Sequence, residues 1–159
     1  MLKTTRLITT AVLMVTMGVL IIVFIRLPIS LGIVDFRPYW SASYLFVRGK
    51  DFSDLEALDK IQRSLTGWDQ SYTMQAWFTP VEHLILSPLT FVPFEQAAKL
   101  WLLSNIIVLS LSVWFLRTST SLNRWLELLV TFSFSATLTS LFFGQVNTLS
   151  LLGLALYFF

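Results

Sequence analysis

Asp35 stands directly after a long apolar stretch of the sequence. A carboxylate at the boundary of a membrane can serve as a general base, because it can accept the proton of an acceptor hydroxyl. The alternative is a structural residue at a helix end that pairs with Arg37. Position alone leaves both interpretations open.

Glu82 and His83 are neighbouring ionisable residues within an apolar window that three prolines interrupt. Ionisable side chains at membrane depth are functional candidates by default, here as substrate contacts. The competing interpretation is that both side chains only extend to the membrane surface. Neighbouring residues on a helix project about 100° apart, so one helix face cannot present both cleanly. His83 is the only histidine of the chain, which argues against a multi-histidine metal site.

Gln145 and Asn147 follow Gly144 in a short polar turn between two apolar windows. Amide side chains donate and accept hydrogen bonds at once, so they can bind sugar hydroxyls or phosphate oxygens. Two structural alternatives remain, a helix end at Gly144 and a hydrogen bond between neighbouring helices.

Basic side chains in the polar segment 35–75 could hold an anionic group such as a lipid phosphate. More often such side chains contact lipid headgroups or neighbouring acids, here the five acids of residues 51–69. The sequence contains no phosphate-binding glycine loop, nucleophile elbow or metal-ligand cluster, so no cofactor is identified and the need for a divalent metal stays open. The basic residues concerned are Arg37, Arg48, Lys50 and Arg63.

Apolar windows predict the elements that must position these residues. A helix of about 20 apolar residues crosses a hydrocarbon core of about 30 Å. The last window is still apolar where the sequence ends, so we expect the chain to be a fragment that stops within a helix. We predict one all-α transmembrane domain, residues 1–159, with spans at residues 7–25, 97–116, 125–143 and 148–159 onward.

The polar segment 35–75 is predicted to hold two helices that lie on the membrane surface. Pro38 can occupy a first helical turn, before the aromatic-rich stretch Tyr39–Val47, and Gly49 is a plausible end. Ser53 and Glu56 fit a capping box that begins the second helix, and Gly67 would end it. The apolar face of the second helix is predicted to comprise Leu55, Leu58, Ile61 and Leu65.

Residues 77–94 are predicted to form a kinked juxtamembrane or re-entrant segment. Irregular backbone at membrane depth is tolerated only against protein or a wet cavity. The charges agree, because Lys3 and Arg6 should hold the N-terminus in the cytoplasm and the two arginines of loop 117–124 should keep that loop inside. One span after a cytoplasmic N-terminus puts segment 35–75 outside. An odd number of spans must then separate segment 35–75 from the inner loop 117–124, so residues 77–94 do not cross the membrane. Segment 35–75 and the turn 144–147 therefore lie on the outer side.

The composition excludes several classes of protein. Hydrophobic residues make up 55% of the chain and charged residues 13%, against about 25% charged in soluble domains. The net charge of +2 is not concentrated in a basic patch, so we expect no nucleic-acid partner. The absence of cysteine removes disulfides, thiol catalysis and the common structural zinc sites.

Taken in order, the motifs resemble glycosyltransferase family 87, a GT-C-class family of polyprenol-phosphate-mannose-dependent mannosyltransferases and arabinofuranosyltransferase relatives. The resemblance covers nearly the whole chain, although Val81 stands where the family's aromatic-Pro-Pro motif commonly has its second proline. The matching features are Asp35-Phe36, the helix Tyr39–Tyr44 ending at Gly49, Phe78-Thr79-Pro80, Ala97–Trp101 and Gly144–Asn147.

The resemblance implies a multi-pass glycosyltransferase of the plasma membrane, with a cytoplasmic N-terminus and an extracytoplasmic active side. Such an enzyme moves a mannose-like hexose from a polyprenyl-phosphate donor to a glycolipid or glycan acceptor, among membrane lipids. Family enzymes have further spans, so we do not expect this piece alone to be active. A transporter or flippase subunit and a non-catalytic assembly subunit are the alternatives. The resemblance implies that Asp35 is the catalytic base, and we expect substrate contacts from Arg37, Tyr39, Glu82, His83, Gln145 and Asn147.

Overall fold

A computed structural model describes residues 34–77, 79–115 and 124–158. The predicted first span, residues 7–25, and most of the predicted inner loop, 117–124, lie outside the described residues. All regular structure in the described part of the chain is helical, as predicted. The α-helices are α1 (Phe36–Val47), α2 (Leu55–Thr66), α3 (Pro80–Leu86), α4 (Phe94–Phe115), α5 (Arg124–Ser133), α6 (Ser135–Phe143) and α7 (Asn147–Phe158), with a 3-10 helix, Ser87–Phe91, between α3 and α4.

Helix α1 lies among α2, α3 and the 3-10 helix. It begins at Phe36, earlier than predicted, with Pro38 in its first turn. Small and aromatic side chains are buried around most of its circumference, and α2, α3 and the 3-10 helix all pack against it. The close-packed side chains of α1 allow neighbours on several sides, while its position at the membrane surface stays a prediction.

Helix α2 begins one residue later than the predicted capping box. Its N-cap is Asp54, whose carboxylate accepts hydrogen bonds from the backbone N–H groups of Glu56, at 2.9 Å, and Ala57, at 3.4 Å. Ser53 is instead bound by Asp51, to which it donates both its N–H and its hydroxyl. This local turn removes the Ser53 hydroxyl from the helix end.

The buried face of α2 also differs from the predicted one. Leu58, Gln62 and Thr66 are buried, whereas Leu55 and Leu65 are 48% and 44% exposed. The Gln62 amide donates to the carbonyl of Met74, at 2.7 Å, and accepts from its N–H, at 3.0 Å. This pair of bonds turns Gln62 inward beneath the following loop, because a buried amide must be satisfied.

An aromatic cluster joins α1 to α4. The Phe36 ring stacks on Trp101, with centroids 5.5 Å apart, and on Phe94, at 6.0 Å. Fully buried Ala97 and Ala98 lie in the same cluster. Their small side chains allow close approach of the helices.

Helices α4 and α7 form the most extensive helix pair. Among the described helices, α4 is the one whose length and apolar composition suffice to cross a membrane. Buried Asn105 and Thr148 join the pair, since the threonine hydroxyl donates to the asparagine side-chain oxygen. The apolar helix pair therefore carries an internal polar contact.

Two predicted windows are broken into pieces. The single span predicted at 125–143 is divided between α5 and α6, because Phe134 adopts an extended conformation (φ −71°, ψ 126°). Serine and threonine surround this break and compete with the backbone for helical hydrogen bonds. The window 77–94 contains α3 and the 3-10 helix, of seven and five residues, and its placement relative to a membrane stays a prediction.

Candidate functional site

Asp35 and the turn after α6 lie in direct contact. The backbone N–H of Asp35 donates to the carbonyl of Phe143 at 3.0 Å. The Gln145 side-chain Nε2 donates to Asp35 Oδ2 at 3.1 Å, across 110 residues of sequence. The structure thus brings together the predicted base and the predicted amide turn.

The turn itself is held by several bonds. Gly144 ends α6 in the left-handed conformation (φ 71°), which glycine adopts without strain. Its carbonyl accepts from the indole N–H of Trp101 at 2.8 Å. The backbone N–H of Gln145 donates to the carbonyl of Ser140 at 3.0 Å, and Asn147 Nδ2 donates to Gln145 Oε1 at 2.9 Å.

A cavity of about 240 Å³ lies beside this turn, among α3, α4 and α7. Its walls are mostly apolar, and Glu82 is the one charged residue among those that line it. Such a mixture of apolar wall and few polar groups is typical of small-molecule and lipid sites. The lining residues are Glu82, Ile85, Leu86, Trp101, Val146, Leu149 and Ser150.

Tyr39 links Asp35 and Glu82 electrostatically. Burial raises the pKa of the Tyr39 phenol, and the negative charges of Asp35 and Glu82 raise it further. The phenol therefore keeps its proton at neutral pH and can donate a hydrogen bond. Three of the predicted site residues thus share one electrostatic environment.

Glu82 is positioned by the start of α3. Its Oε2 accepts from the backbone N–H of Thr79, at 2.6 Å, and from the Thr79 hydroxyl, at 3.0 Å. Pro80 occupies the first helical turn, where its missing N–H has no cost. The helix start therefore fixes the carboxylate at the cavity.

His83 lies on a different side of α3 and does not line the cavity. Its side chain is fully buried, with Nδ1 at 3.0 Å from the Ser43 hydroxyl and the ring packed on Phe52, at 4.7 Å between centroids, and on Phe46. Burial lowers the pKa of His83, against the opposing effect of Glu82. The expectation that Glu82 and His83 cannot share one face cleanly is confirmed.

Arg37 is likewise enclosed, with 4% of its surface exposed. Its guanidinium carbon lies 4.7 Å from the centre of the Trp68 ring and 5.4 Å from that of Phe94. Burial lowers the pKa of Arg37, while Asp69 opposes this change. The contacts indicate that Arg37 fixes the loop after α2, and the structure does not bring it to the cavity.

Asn147 is exposed and borders a second cavity of about 220 Å³ among α4, α6 and α7. No group of three or more histidine, cysteine or acidic side chains that could hold a metal ion occurs within the described ranges. Trp101 is a site residue that the sequence did not single out. The available signal was an indole N–H within an apolar helix, which usually has a partner when buried.

The described part of the chain is helical, with one apolar helix long enough to span a membrane and a carboxylate–amide contact at a turn that borders an apolar cavity. The chain belongs to glycosyltransferase family 87, whose family model matches residues 77–159, just over half of the sequence. No curated protein and no solved structure matches the chain. Family membership makes it a membrane glycosyltransferase in the general sense. Asp35 lies before the matched range, and its partner Gln145 lies within it.

Proposed function

We propose that this protein transfers a mannose-like hexose from a polyprenyl-phosphate donor to a glycolipid or glycan acceptor on the outer side of the plasma membrane. The observation that carries the proposal is the hydrogen bond between Asp35 and Gln145 beside the 240 Å³ cavity. It joins a carboxylate to a turn within the range that matches the family model. Membership in the family supplies the reaction class.

Asp35 acts as the general base of this reaction. It takes the proton of the acceptor hydroxyl while that oxygen forms a bond to the anomeric carbon of the sugar. The bond between the anomeric carbon and the phosphate oxygen breaks, and its electron pair leaves with the polyprenyl phosphate. Because the displacement is direct, the configuration at the anomeric carbon is inverted.

The cavity provides the binding surface for the donor. The apolar side chains of Leu86 and Leu149 suit an isoprenoid chain, and the carboxylate of Glu82 can accept hydrogen bonds from sugar hydroxyls. Tyr39 keeps its proton and can donate to a sugar or phosphate oxygen.

The membrane arrangement follows the same proposal. Helix α4 presents a row of exposed apolar side chains at helical spacing, which suits contact with lipid or with further spans of a polytopic bundle. With a cytoplasmic N-terminus, α1 and the turn after α6 face the outer side. The exposed row comprises Leu100, Leu103, Ile107, Leu111 and Trp114.

Replacement of the base tests the proposal. In the full-length protein, Asp35→Asn removes proton acceptance but keeps the side-chain size, so we expect sugar transfer to fall by about 10²- to 10⁴-fold. The assay uses radiolabelled polyprenyl-phosphate mannose, and in parallel the arabinofuranose donor, with glycolipids of the host membrane as acceptors. The matched control is Asp51→Asn, an exposed aspartate of the same polar segment, which should retain full transfer.

Equal expression and equal thermal unfolding of both variants in detergent separate chemistry from folding. Transfer by Asp35→Asn at the wild-type rate would exclude Asp35 as the base. Absence of transfer from either donor by the wild-type protein, with intact folding, would exclude the proposed donor class.

A further inference from the structure

We infer that Gln145 is a positioning residue that orients the Asp35 carboxylate and that Asn147 fixes the direction of the Gln145 amide. This inference rests on the proposed role of Asp35 as the base. It assigns Gln145 to the carboxylate rather than to the substrate. The three side chains form a chain of two hydrogen bonds, from Asn147 to Gln145 and from Gln145 to Asp35.

The chemistry of the three side chains selects one direction for this chain of bonds. An ionised carboxylate only accepts hydrogen bonds, so the Gln145 NH₂ group must face Asp35. The Gln145 oxygen then faces away from Asp35 and needs a donor, which Asn147 Nδ2 provides at 2.9 Å. With the Gln145 amide reversed, its oxygen would face a carboxylate oxygen and the bond to Asp35 would be lost.

Backbone hydrogen bonds hold Asp35 and the turn 144–147 at a fixed distance from each other. The N–H of Asp35 is bonded to the carbonyl of Phe143, two residues before Gln145. The N–H of Gln145 is bonded to the carbonyl of Ser140, and Trp101 holds the Gly144 carbonyl. Since both backbones are fixed, the Gln145 amide holds one carboxylate oxygen, Oδ2, and leaves Oδ1 to receive the proton.

A positioning role and a substrate contact predict different kinetics. Misplacement of a reacting group by about 1 Å can cost about 10²-fold in rate, without a change in ground-state binding. Loss of a uniform substrate contact raises KM and leaves kcat unchanged. Separate measurement of kcat and KM therefore distinguishes a positioning role from a substrate contact.

The main experiment measures kcat and donor KM for Gln145→Met, Asn147→Leu and the double variant in the full-length protein, with polyprenyl-phosphate mannose as the probe. Methionine keeps the length of glutamine and removes both hydrogen bonds. We expect kcat to fall by about 10- to 100-fold in Gln145→Met, with donor KM changed by less than about twofold. Asn147→Leu should lower kcat by a smaller factor in the wild-type background and should cause no further loss in the double variant, because it acts through Gln145.

Asn147→Asp provides a second variant that keeps size and polarity. An aspartate at this position accepts hydrogen bonds, so it should reverse the Gln145 amide and lower kcat, even though Gln145 itself is unchanged.

Gln145→Glu adds a readout that a merely structural role would not move. A negative charge beside Asp35 favours the protonated carboxyl, so the acid limb of the pH profile of kcat should move to higher pH. The matched control is Gln70→Glu, because Gln70 also donates to an aspartate, Asp69 at 2.9 Å, but on an exposed surface. This control should leave the profile unchanged.

The outcomes separate the inference from the proposed function. A raised donor KM with normal kcat in Gln145→Met, or an unshifted profile in Gln145→Glu, would overturn the positioning role, while an inactive Asp35→Asn measured alongside would leave the proposed function standing. Full activity of Asp35→Asn would overturn both. A further fall of kcat in the double variant, beyond that of Gln145→Met, would show that Asn147 does not act through Gln145.

Discussion

Two polar clusters connect α1 to distant parts of the chain, and they differ in access. The open cluster, Asp35, Gln145 and Asn147, is partly exposed, and its turn borders the first cavity through Val146 and the second through Asn147. The closed cluster, Ser43 and His83, is fully buried beneath aromatic rings. Both are hydrogen-bonded and both contain residues that the sequence marks as functional candidates.

An ionisable side chain in an apolar sequence therefore does not by itself identify a site. Such residues are functional candidates by default where they lie at membrane depth. In the closed cluster, Phe46 and Phe52 pack on the imidazole of His83, which has no exposed surface. In the open cluster, Asp35 is bonded through Oδ2 to Gln145, next to Val146, which lines the 240 Å³ cavity.

Truncation of the closed cluster has the largest expected effect on stability. His83→Ala removes a buried ring and its contact with Ser43, so the free energy of unfolding should fall by about 2–4 kcal/mol. Donor KM and kcat per folded molecule should stay at wild-type values. Unfolding in detergent measures the stability, and transfer assays measure kcat and donor KM.

The control is Leu84→Ala, an exposed neighbour on the same helix, which should change stability by less than about 0.5 kcal/mol. Lost transfer at unchanged stability would place His83 in the site.

Glu82 is the sequence neighbour of His83 and lies on the cavity side of α3, so its replacement should affect the donor site instead of stability. Glu82→Gln removes the charge but keeps an oxygen that can accept from Thr79. We expect donor KM to rise about tenfold, equivalent to about 1.4 kcal/mol, with stability preserved. Glu95→Gln, which breaks an exposed ion pair with Lys99, serves as the control and should not change KM. An unchanged KM in Glu82→Gln would remove Glu82 from the donor site.

The pH dependence of stability gives the smallest expected effect. Burial lowers the pKa of His83 in the folded protein from its ordinary value of 6.5. Below pH 6.5 the unfolded chain therefore binds more protons than the folded protein, and the free energy of unfolding should fall as the pH decreases through this window. The fall should end below the folded-state pKa.

The control for this pH dependence is His83→Gln, which cannot titrate. The difference in Tm between wild type and this variant should shrink as the pH is lowered from above to below 6.5. A difference in Tm that does not change with pH would contradict the buried, neutral state of His83.

Local sequence rules predicted several features of the fold. Pro38 marks the first turn of α1, and Gly67 and Gly144 end α2 and α6 in the left-handed conformation. Each of these features depends on the backbone preference of one residue, so neighbouring sequence suffices. The sequence also predicted that Asp35 and the turn 144–147 lie on the same side of the membrane, and the two are in contact. The membrane side and the functional roles of both stay predictions.

Other features depend on contacts that local patterns do not contain. The buried side of α2 is set by the bonds between Gln62 and Met74, and Arg37 is enclosed by Trp68, which comes 31 residues later in the chain. The break at Phe134 has neither proline nor glycine at its centre, so the usual sequence signal of a helix end is missing there. Such choices are made by tertiary packing, which periodicity does not reveal.

The most direct test of the central claim is a cross-link between the two halves of the open cluster. The chain has no cysteine, so Asp35→Cys with Gln145→Cys gives a clean pair for a short, membrane-impermeant bifunctional thiol reagent applied to intact cells. The control pair is Asp35→Cys with Asp51→Cys, whose members are separated by α1, about 18 Å long. We expect an intramolecular link in the first pair and none in the second. Failure of the first pair to link, while each single cysteine is labelled from outside, would contradict it.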